Sequence, residues 1–407
     1  MKLVTVKDII DFQMSHLSNN IGMQRDLITS VQQPIEGFAT VISGIRRCGK
    51  STLMAQIIDK TDDTCLYLNF DTPRLHEFTL EDFELVDAIA VEMGAKRLFF
   101  DEIQLVSGWE SYIRSALDAG YQVTVTGSNA TMLSQELGTR LTGRHITKEL
   151  FPFSFSEYCR FRSQPPSSSS LDNYLKDGGF PQYLKQGDEL VLQSLLNDIV
   201  YRDVAVRHGI KDVIAMQSLL IYLITNIGNL ATANKLASVI QVKTAKTVLE
   251  YFSYFTQTYI VSFVPRFSYS FRTQMVSPKK VYCIDNGLHL SITTSASTDT
   301  GRRLENMVYG ELRRKNNQLY YYNENNSECD FIVCQKNIPT TAYQVCYELN
   351  RENETREING LLHAMQQLQI DKGYILTANQ SDIIIKDGQR IEVLPAWKAF
   401  ALTHHVK

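Results

Sequence analysis

Four segments of this chain are apolar almost without interruption: ATVISG (39–44), CLYLNF (65–70), RLFFDE (97–102) and YQVTVTG (121–127). The stretches between them read as helices, and residues 1–37 also read as amphipathic helix ending near Pro34. Strands that do not alternate, each followed by a helix, predict a parallel sheet covered on both faces. QPPSSSS (164–170), with two prolines and four serines in a row, reads as a linker. A helical region follows from 171 to 260 and leads into IVSFVPRFSY, which predicts a β-ribbon. From GRRLENMVYGELRRK (301–315) onward the pattern is one helix, several strands, a helix near 356–369, then GYILTA and IEVLPAW. No internal repeat is visible. The expected organisation is α/β in three domains, 1–163, 171–290 and 300–407.

Composition narrows this picture only slightly. Of 407 residues 44% are hydrophobic, with 20 Tyr and 19 Phe, enough to build packed cores and exclude disorder. The formal net charge is −3, so any surface for nucleic acid has to be local. Seven cysteines form no C-x-x-C pair and read as reduced, packed thiols. The first residues lack a signal-peptide run, and the longest apolar stretch, SLLIYLITNIG (218–228), is too short to span a bilayer. The expectation is a cytoplasmic protein that makes no use of a membrane.

The chemistry starts at GIRRCGKST, which matches G-x-x-x-x-G-K-[ST]. Gly44 and Gly49 permit the tight turn that faces backbone N–H groups of Ile45, Arg46, Arg47 and Cys48 toward a phosphate, helped by the helix N-terminus. Lys50 is expected to neutralise the β- and γ-oxygens of ATP, with Ser51 a ligand of Mg²⁺ and Thr52 completing the loop. The motif follows a predicted strand and opens a predicted helix, which is the context it needs. RLFFDE then delivers Asp101 to a strand's carboxyl end to hold Mg²⁺ through water, with Glu102 beside it to polarise the attacking water. Two adjacent carboxylates at that position would repel one another without a cation. Ser128 and Asn129, ending the last of these strands, are candidates to sense the γ-phosphate. Arg140 and Arg144, in GTRLTGRH, are candidates for an arginine acting across subunits, Arg144 the stronger.

Taken together, ISGIRRCGKSTL, FFDEIQLVSGWE, TVTGSNATMLS, LTGRHITKELFPFSFSEY and DGGFPQYL resemble a large prokaryotic family of AAA-type ATPases with a C-terminal domain of unknown function. The resemblance covers nearly the whole chain. It implies an αβα P-loop core, then a winged helix, then a domain with a restriction-endonuclease-like fold.

In the middle segment, TANKLASVIQVKTAKTVLEYFSYFTQTYIVSFVPRF has the order helix, turn, helix, ribbon, with Thr244 a plausible N-cap. Between 231 and 281 stand Lys235, Lys243, Lys246, Arg266, Arg272, Lys279 and Lys280 against Glu250 alone. That local excess of positive charge suits a DNA backbone, with Lys235, Lys243, Lys246 and Arg266 the candidate contacts. A lid, a protein dock or a solvated face has the same composition.

Nuclease-like folds of the type the resemblance implies use a helix acid, a strand Asp and a Glu(or Gln)-x-Lys on the next strand. Carried over, these fall on Glu305, Asp330, Gln344 and Cys346. Cys346 cannot do what a lysine does. In this family the strand is often of the Q-V-x-Y kind, here followed by Thr355, Arg356 and Glu357. The expected domain is therefore nuclease-like but degenerate, with the acids serving the fold or a protein partner. Were cleavage to occur, Lys336 is the first candidate for the missing lysine. The expected function is an ATP- and Mg²⁺-dependent ATPase, working as a monomer or homo-oligomer, that moves the winged helix and the degenerate domain on DNA or a DNA-bound partner. Two other functions use the same parts: an ATP-gated nuclease, and a nucleotide-dependent switch acting through protein contacts.

Overall fold

The structure, a computed structural model, describes residues 1–128, 143–293 and 299–401. The chain packs as two compact units, Met1–Phe151 with Gln257–Tyr259, and Pro152–Thr256 with Ile260–Lys407.

The first unit is a three-layer α/β sandwich. Its helices are α1 (Leu3–Leu17), α2 (Ile28–Val31), α3 (Lys50–Asp59), α4 (Phe83–Met93) and α5 (Trp109–Asp118). Its strands are β1 (Ala39–Ser43), β2 (Cys65–Asn69), β3 (Arg97–Asp101), β4 (Gln122–Gly127) and β5 (His145–Glu149), in the order β2-β3-β4-β1-β5, all parallel. The four apolar segments are four of these five strands. Every residue of β1 and β3 is buried, as the missing alternation predicts for strands covered on both faces. Phe70, Phe78, Phe83, Phe100 and Tyr112 fill the space between sheet and helices, with Phe83 and Tyr112 stacked at 3.9 Å. Because β1, β4 and β3 are neighbours, their carboxyl ends bring the loop after β1, Asp101 and Ser128 to one edge, where open α/β sheets place their ligands.

The second unit begins with helices α6 (Phe155–Phe161), α7 (Ser168–Asp177), α8 (Pro181–Gln186), α9 (Leu190–Asp198) and α10 (Val213–Thr225). The serine run expected as a linker starts a helix instead. Ser167 caps α7, its hydroxyl accepting from the Ser170 amide at 3.2 Å while the Ser170 hydroxyl accepts from the Ser167 amide at 2.7 Å. Serine after proline reads equally as loop or N-cap, and here the capping geometry decides.

Next come β6 (Leu230–Ala231), α11 (Ala233–Val239), α12 (Ala245–Gln257), β7 (Val261–Val264), α13 (Phe271–Val276) and β8 (Lys279–Cys283), the strands forming an antiparallel sheet ordered β6-β8-β7. Thr244 caps α12 as expected, accepting from the Thr247 amide at 3.3 Å. After α14 (Asn286–Ile292) and α15 (Thr300–Lys315), β9 (Leu319–Glu324), β10 (Ser327–Gln335) and β11 (Ile338–Val345) form an antiparallel meander. Then α16 (Glu354–Leu368), β12 (Gly373–Thr377), β13 (Asp382–Lys386), β14 (Gln389–Pro395) and α17 (Ala396–Ala401) complete a mixed sheet ordered β13-β14-β12-β11-β10-β9. Gly360 lets α16 close on β10, since a Cβ there would stand 2.2 Å from the Glu328 carbonyl oxygen.

The small sheet and the mixed sheet, assigned by sequence to separate domains, pack in this one unit. Arg266 bridges Tyr321 backbone to backbone, Phe267 lies in the core of the mixed sheet, and Tyr282 stacks on Tyr309 at 4.5 Å. All seven cysteines are free and buried. Among the described residues no helix is long and apolar enough to cross a membrane.

Candidate functional site

The loop between β1 and α3 is bent as a phosphate cradle requires. Gly49 has φ 101° and Arg47 φ 63°, both in the left-handed region. Gly44 is needed for close approach, because a Cβ there would lie 2.1 Å from the Leu150 carbonyl oxygen. Arg25, fully buried, fastens the loop from below: one guanidinium nitrogen donates to the Cys48 carbonyl and another to the Phe151 carbonyl, each at 2.7 Å. The Cys48 thiol donates to the Leu150 carbonyl at 3.3 Å, and burial pushes that thiol up from its ordinary value. The cysteine therefore packs the loop and is not a nucleophile.

Lys50 is buried and folds back over the turn, donating to the carbonyls of Gly44 at 3.1 Å and Ile45 at 3.3 Å. It also pairs with Glu102 at 3.5 Å. Burial opposes the charge on both partners, but their mutual attraction outweighs it: the lysine is raised above its ordinary value and the carboxyl lowered, with Gln104 and Arg46 helping the latter. Glu102 has φ 52°, which turns it off the end of β3, and the side-chain amide of Gln104 donates to its second oxygen.

Asp101, with no exposed surface, is the most constrained group of the site. Tyr67 donates to it at 2.9 Å, Asn69 at 3.2 Å, and the hydroxyls of Thr126 and Ser51 bond it as well. Burial, then the charge of Glu102, nevertheless raises its carboxyl above the ordinary range. Thr126 accepts from the Glu102 amide at 3.0 Å and so links the two acids. The expected pairing of Lys50, Ser51, Asp101 and Glu102 in one place is thus found. Arg25, Tyr67, Asn69, Gln104 and Thr126 were missed.

Ser128 is buried at the end of β4. Asn129 and Arg140 lie outside the described residues. Arg144 donates to the Gly37 carbonyl at 3.0 Å and pairs with Asp118 at 2.5 Å. It precedes β5, whose His145 is in register with Ala39 at the start of β1, whereas the phosphate loop leaves the other end of β1. Four strand steps, roughly 13 Å, separate it from its own chain's loop.

In the second unit Lys235, Lys243 and Lys246 are exposed. Arg266 is not part of that exposed set: it is half-buried and pairs with Glu324 at 2.9 Å. Lys280 is buried and leaves the basic strip altogether. Glu305, Asp330 and Gln344 do converge, and Cys346 sits in the apolar core against α16, its thiol pushed up to about 12 by burial and then by Glu357 and Asp330. Glu357, paired with Arg356, takes the side-chain amide of Gln344 at 2.5 Å. Lys336 lies in the β10–β11 turn with φ 51°, exposed.

A glycine loop opening a helix, with a strand-end aspartate and a neighbouring glutamate, defines a P-loop nucleotide-binding protein. Comparison with known proteins agrees. Residues 36–159 match the model of an AAA domain, and residues 168–299 and 300–399 each match a domain of unknown function (DUF8612 and DUF4143). An uncharacterized protein of Methanocaldococcus jannaschii, MJ1544, is 33% identical over 395 residues, covering 89% of this chain and 88% of the relative. An uncharacterized protein of Haemophilus influenzae is 29% identical over 348 residues, covering 80% and 86%. The chain belongs to this family of AAA-type P-loop ATPases with C-terminal domains of unknown function.

Among solved structures, the Thermotoga maritima RuvB Holliday junction branch migration motor is similar with TM-score 0.27 and 17% identity, over 62% of this chain and 89% of that one. The Aeropyrum pernix ORC1 protein in complex with DNA gives 0.26 and 11%, over 69% and 91%. PH0952, a STAND protein of Pyrococcus horikoshii, gives 0.28 and 12% over 72% of this chain and 46% of its own length.

Proposed function

We propose that this chain binds ATP with Mg²⁺, hydrolyses it, and uses the turnover to move a winged helix and a degenerate nuclease-like domain on DNA or a DNA-bound partner. The observation that carries the first part is the convergence of Lys50, Ser51, Asp101 and Glu102 around the glycine loop. Lys50 is charged, buried and held, among the described residues, by two carbonyls and Glu102, so an incoming triphosphate can exchange for those contacts. Mg²⁺ fits beside Ser51 and Asp101: the buried carboxylate is held next to a second acid with too little positive charge, and its oxygens are already hydrogen-bonded, which favours holding the ion through water. Mg²⁺ supplies charge neutralisation at the phosphates. Glu102, released from Lys50 and steered by Gln104, is the base that takes the proton of the attacking water.

For the second part, the order α11, turn, α12 and the β6-β8-β7 sheet supports a winged helix, and αβββαβ order in the mixed sheet supports the nuclease-like fold. The exposed Lys235, Lys243 and Lys246 suit backbone contact, with Lys246 only 3.9 Å from Glu250 in a pair that exposure makes weak. Neutralising Lys243 and Lys246 should weaken duplex binding about equally across sequences and lower the log–log salt slope by roughly one per lost phosphate contact. Absence of duplex binding by wild type at low salt would make the strip a solvated face or a protein dock.

Arg144 is proposed to act only in trans. Activity per molecule should then rise with protein concentration, and an Arg144→Ala chain mixed with a Lys50→Ala chain should regain turnover. Concentration-independent activity from a demonstrated monomer removes the trans role. The load is tested by the ATPase rate with and without DNA: stimulation supports action on DNA, and indifference moves the reading to a switch that works through protein contacts.

A further inference from the structure

The nuclease-like resemblance implies a divalent cation at Glu305, Asp330 and Gln344, and the residues present do not fit one. Lys280, on β8 of the small sheet, reaches into the acids and is 3% exposed. Its ammonium lies 2.7 Å from Asp330 Oδ1, 2.7 Å from Glu328 Oε1 and 3.2 Å from Glu305 Oε1. Of its three N–H donors, two are given to Asp330 and Glu305 as hydrogen bonds and Glu328 stands at ion-pair distance, so the ammonium is committed to the acids rather than to water or a phosphate.

The surrounding acceptors are also committed. Asp330 Oδ2 accepts from the Val345 amide at 2.9 Å, and Glu305 Oε1 accepts from the Tyr282 hydroxyl at 2.6 Å. The Gln344 oxygen, which a metal would require, faces the Asp330 amide at 3.3 Å instead. Three carboxyl groups share one ammonium, and Glu305 accordingly sits up at about 7, through burial and then the charge of Asp330.

We propose that the Lys280 ammonium is the built-in occupant of this cluster, standing where a divalent cation would and joining the small sheet to the mixed sheet while keeping such cations out. A lysine does reach the acids, from another sheet and not from Lys336, the candidate had cleavage occurred, and it acts as a lock rather than a catalyst. The lock is built from side chains of the second unit and is independent of ATP hydrolysis. Taking the lysine away leaves acids that would close on a cation by roughly 0.5–1 Å to reach ordinary oxygen–metal distances.

The test uses Mn²⁺ alone as probe, by electron paramagnetic resonance on the chelator-stripped, nucleotide-free full chain. Wild type and Asp330→Asn should give superimposable Mn²⁺ titrations. Lys280→Ala should gain a single Mn²⁺ site that is lost again in Lys280→Ala/Asp330→Asn, and its unfolding midpoint, unlike that of wild type, should rise on adding Mn²⁺. A wild-type Mn²⁺ site abolished by Asp330→Asn overturns the proposal, and so does a folded Lys280→Ala chain that gains none. Should Lys280→Ala fail to fold, the wild-type and Asp330→Asn comparison still decides, because it needs no change at Lys280.

Discussion

Glu102→Gln should keep ATP binding and lose turnover by about 10²-fold or more, the usual scale for removing a general base. The amide has the shape of the carboxylate and can still accept from Gln104, so the turn at φ 52° is preserved. What disappears is the proton acceptor and the charge that holds Lys50 at 3.5 Å. Freed of that partner, Lys50 turns to phosphate more readily, so ATP affinity should be unchanged or higher. Fluorescent-nucleotide binding and phosphate release, measured on one preparation, separate the two effects. Normal turnover in the Gln variant would remove Glu102 from the mechanism.

The largest effect on stability is expected at Lys280. Lys280→Ala leaves Asp330 and Glu305 buried without their counter-charge, and breaking a buried pair by removing one partner costs about 3–5 kcal/mol. Burial opposes the charge of Lys280, but Asp330 and Glu305 outweigh it and raise the lysine well above its ordinary 10.5. A lysine raised on folding stabilises in full below that ordinary value and loses its contribution only as pH rises through the folded one, so wild type keeps the whole effect at neutral pH. Glu305, already raised to about 7 beside the lysine, should retain its proton to higher pH still in the variant, so the deficit relative to wild type should grow as pH rises. Urea unfolding at about pH 5 and about pH 8 measures this, and a deficit equal at both would contradict an electrostatic origin.

What could be read from the sequence was whatever lies close together along it. The phosphate loop is one turn between a strand and a helix, and Asp101–Glu102 end another strand, so local pattern placed Lys50, Ser51 and both acids. Thr126 and Tyr67 reach Asp101 across 25 and 34 residues because β4 and β2 flank β3, an order that strand composition does not reveal. Lys280 was legible only as one more positive charge in a strip. Its hydrogen-bond partners Glu305 and Asp330 stand 25 and 50 residues away, and only the packing of two sheets brings them within 3.2 Å. Lys336 is nearer Asp330 in sequence, yet the β10–β11 turn points that stretch into solvent. Arg266 illustrates the same limit, since its partner Glu324 belongs to a strand of the other sheet.

The most direct measurement is Mg²⁺-dependent phosphate release from ATP by the full chain beside Lys50→Ala, each with and without duplex DNA. Wild type should turn ATP over in at least one condition, and Lys50→Ala, lacking the buried ammonium at the glycine loop, should neither bind nor hydrolyse it. Equal rates from the two chains, or no turnover by wild type in any condition, would contradict ATP hydrolysis at this site.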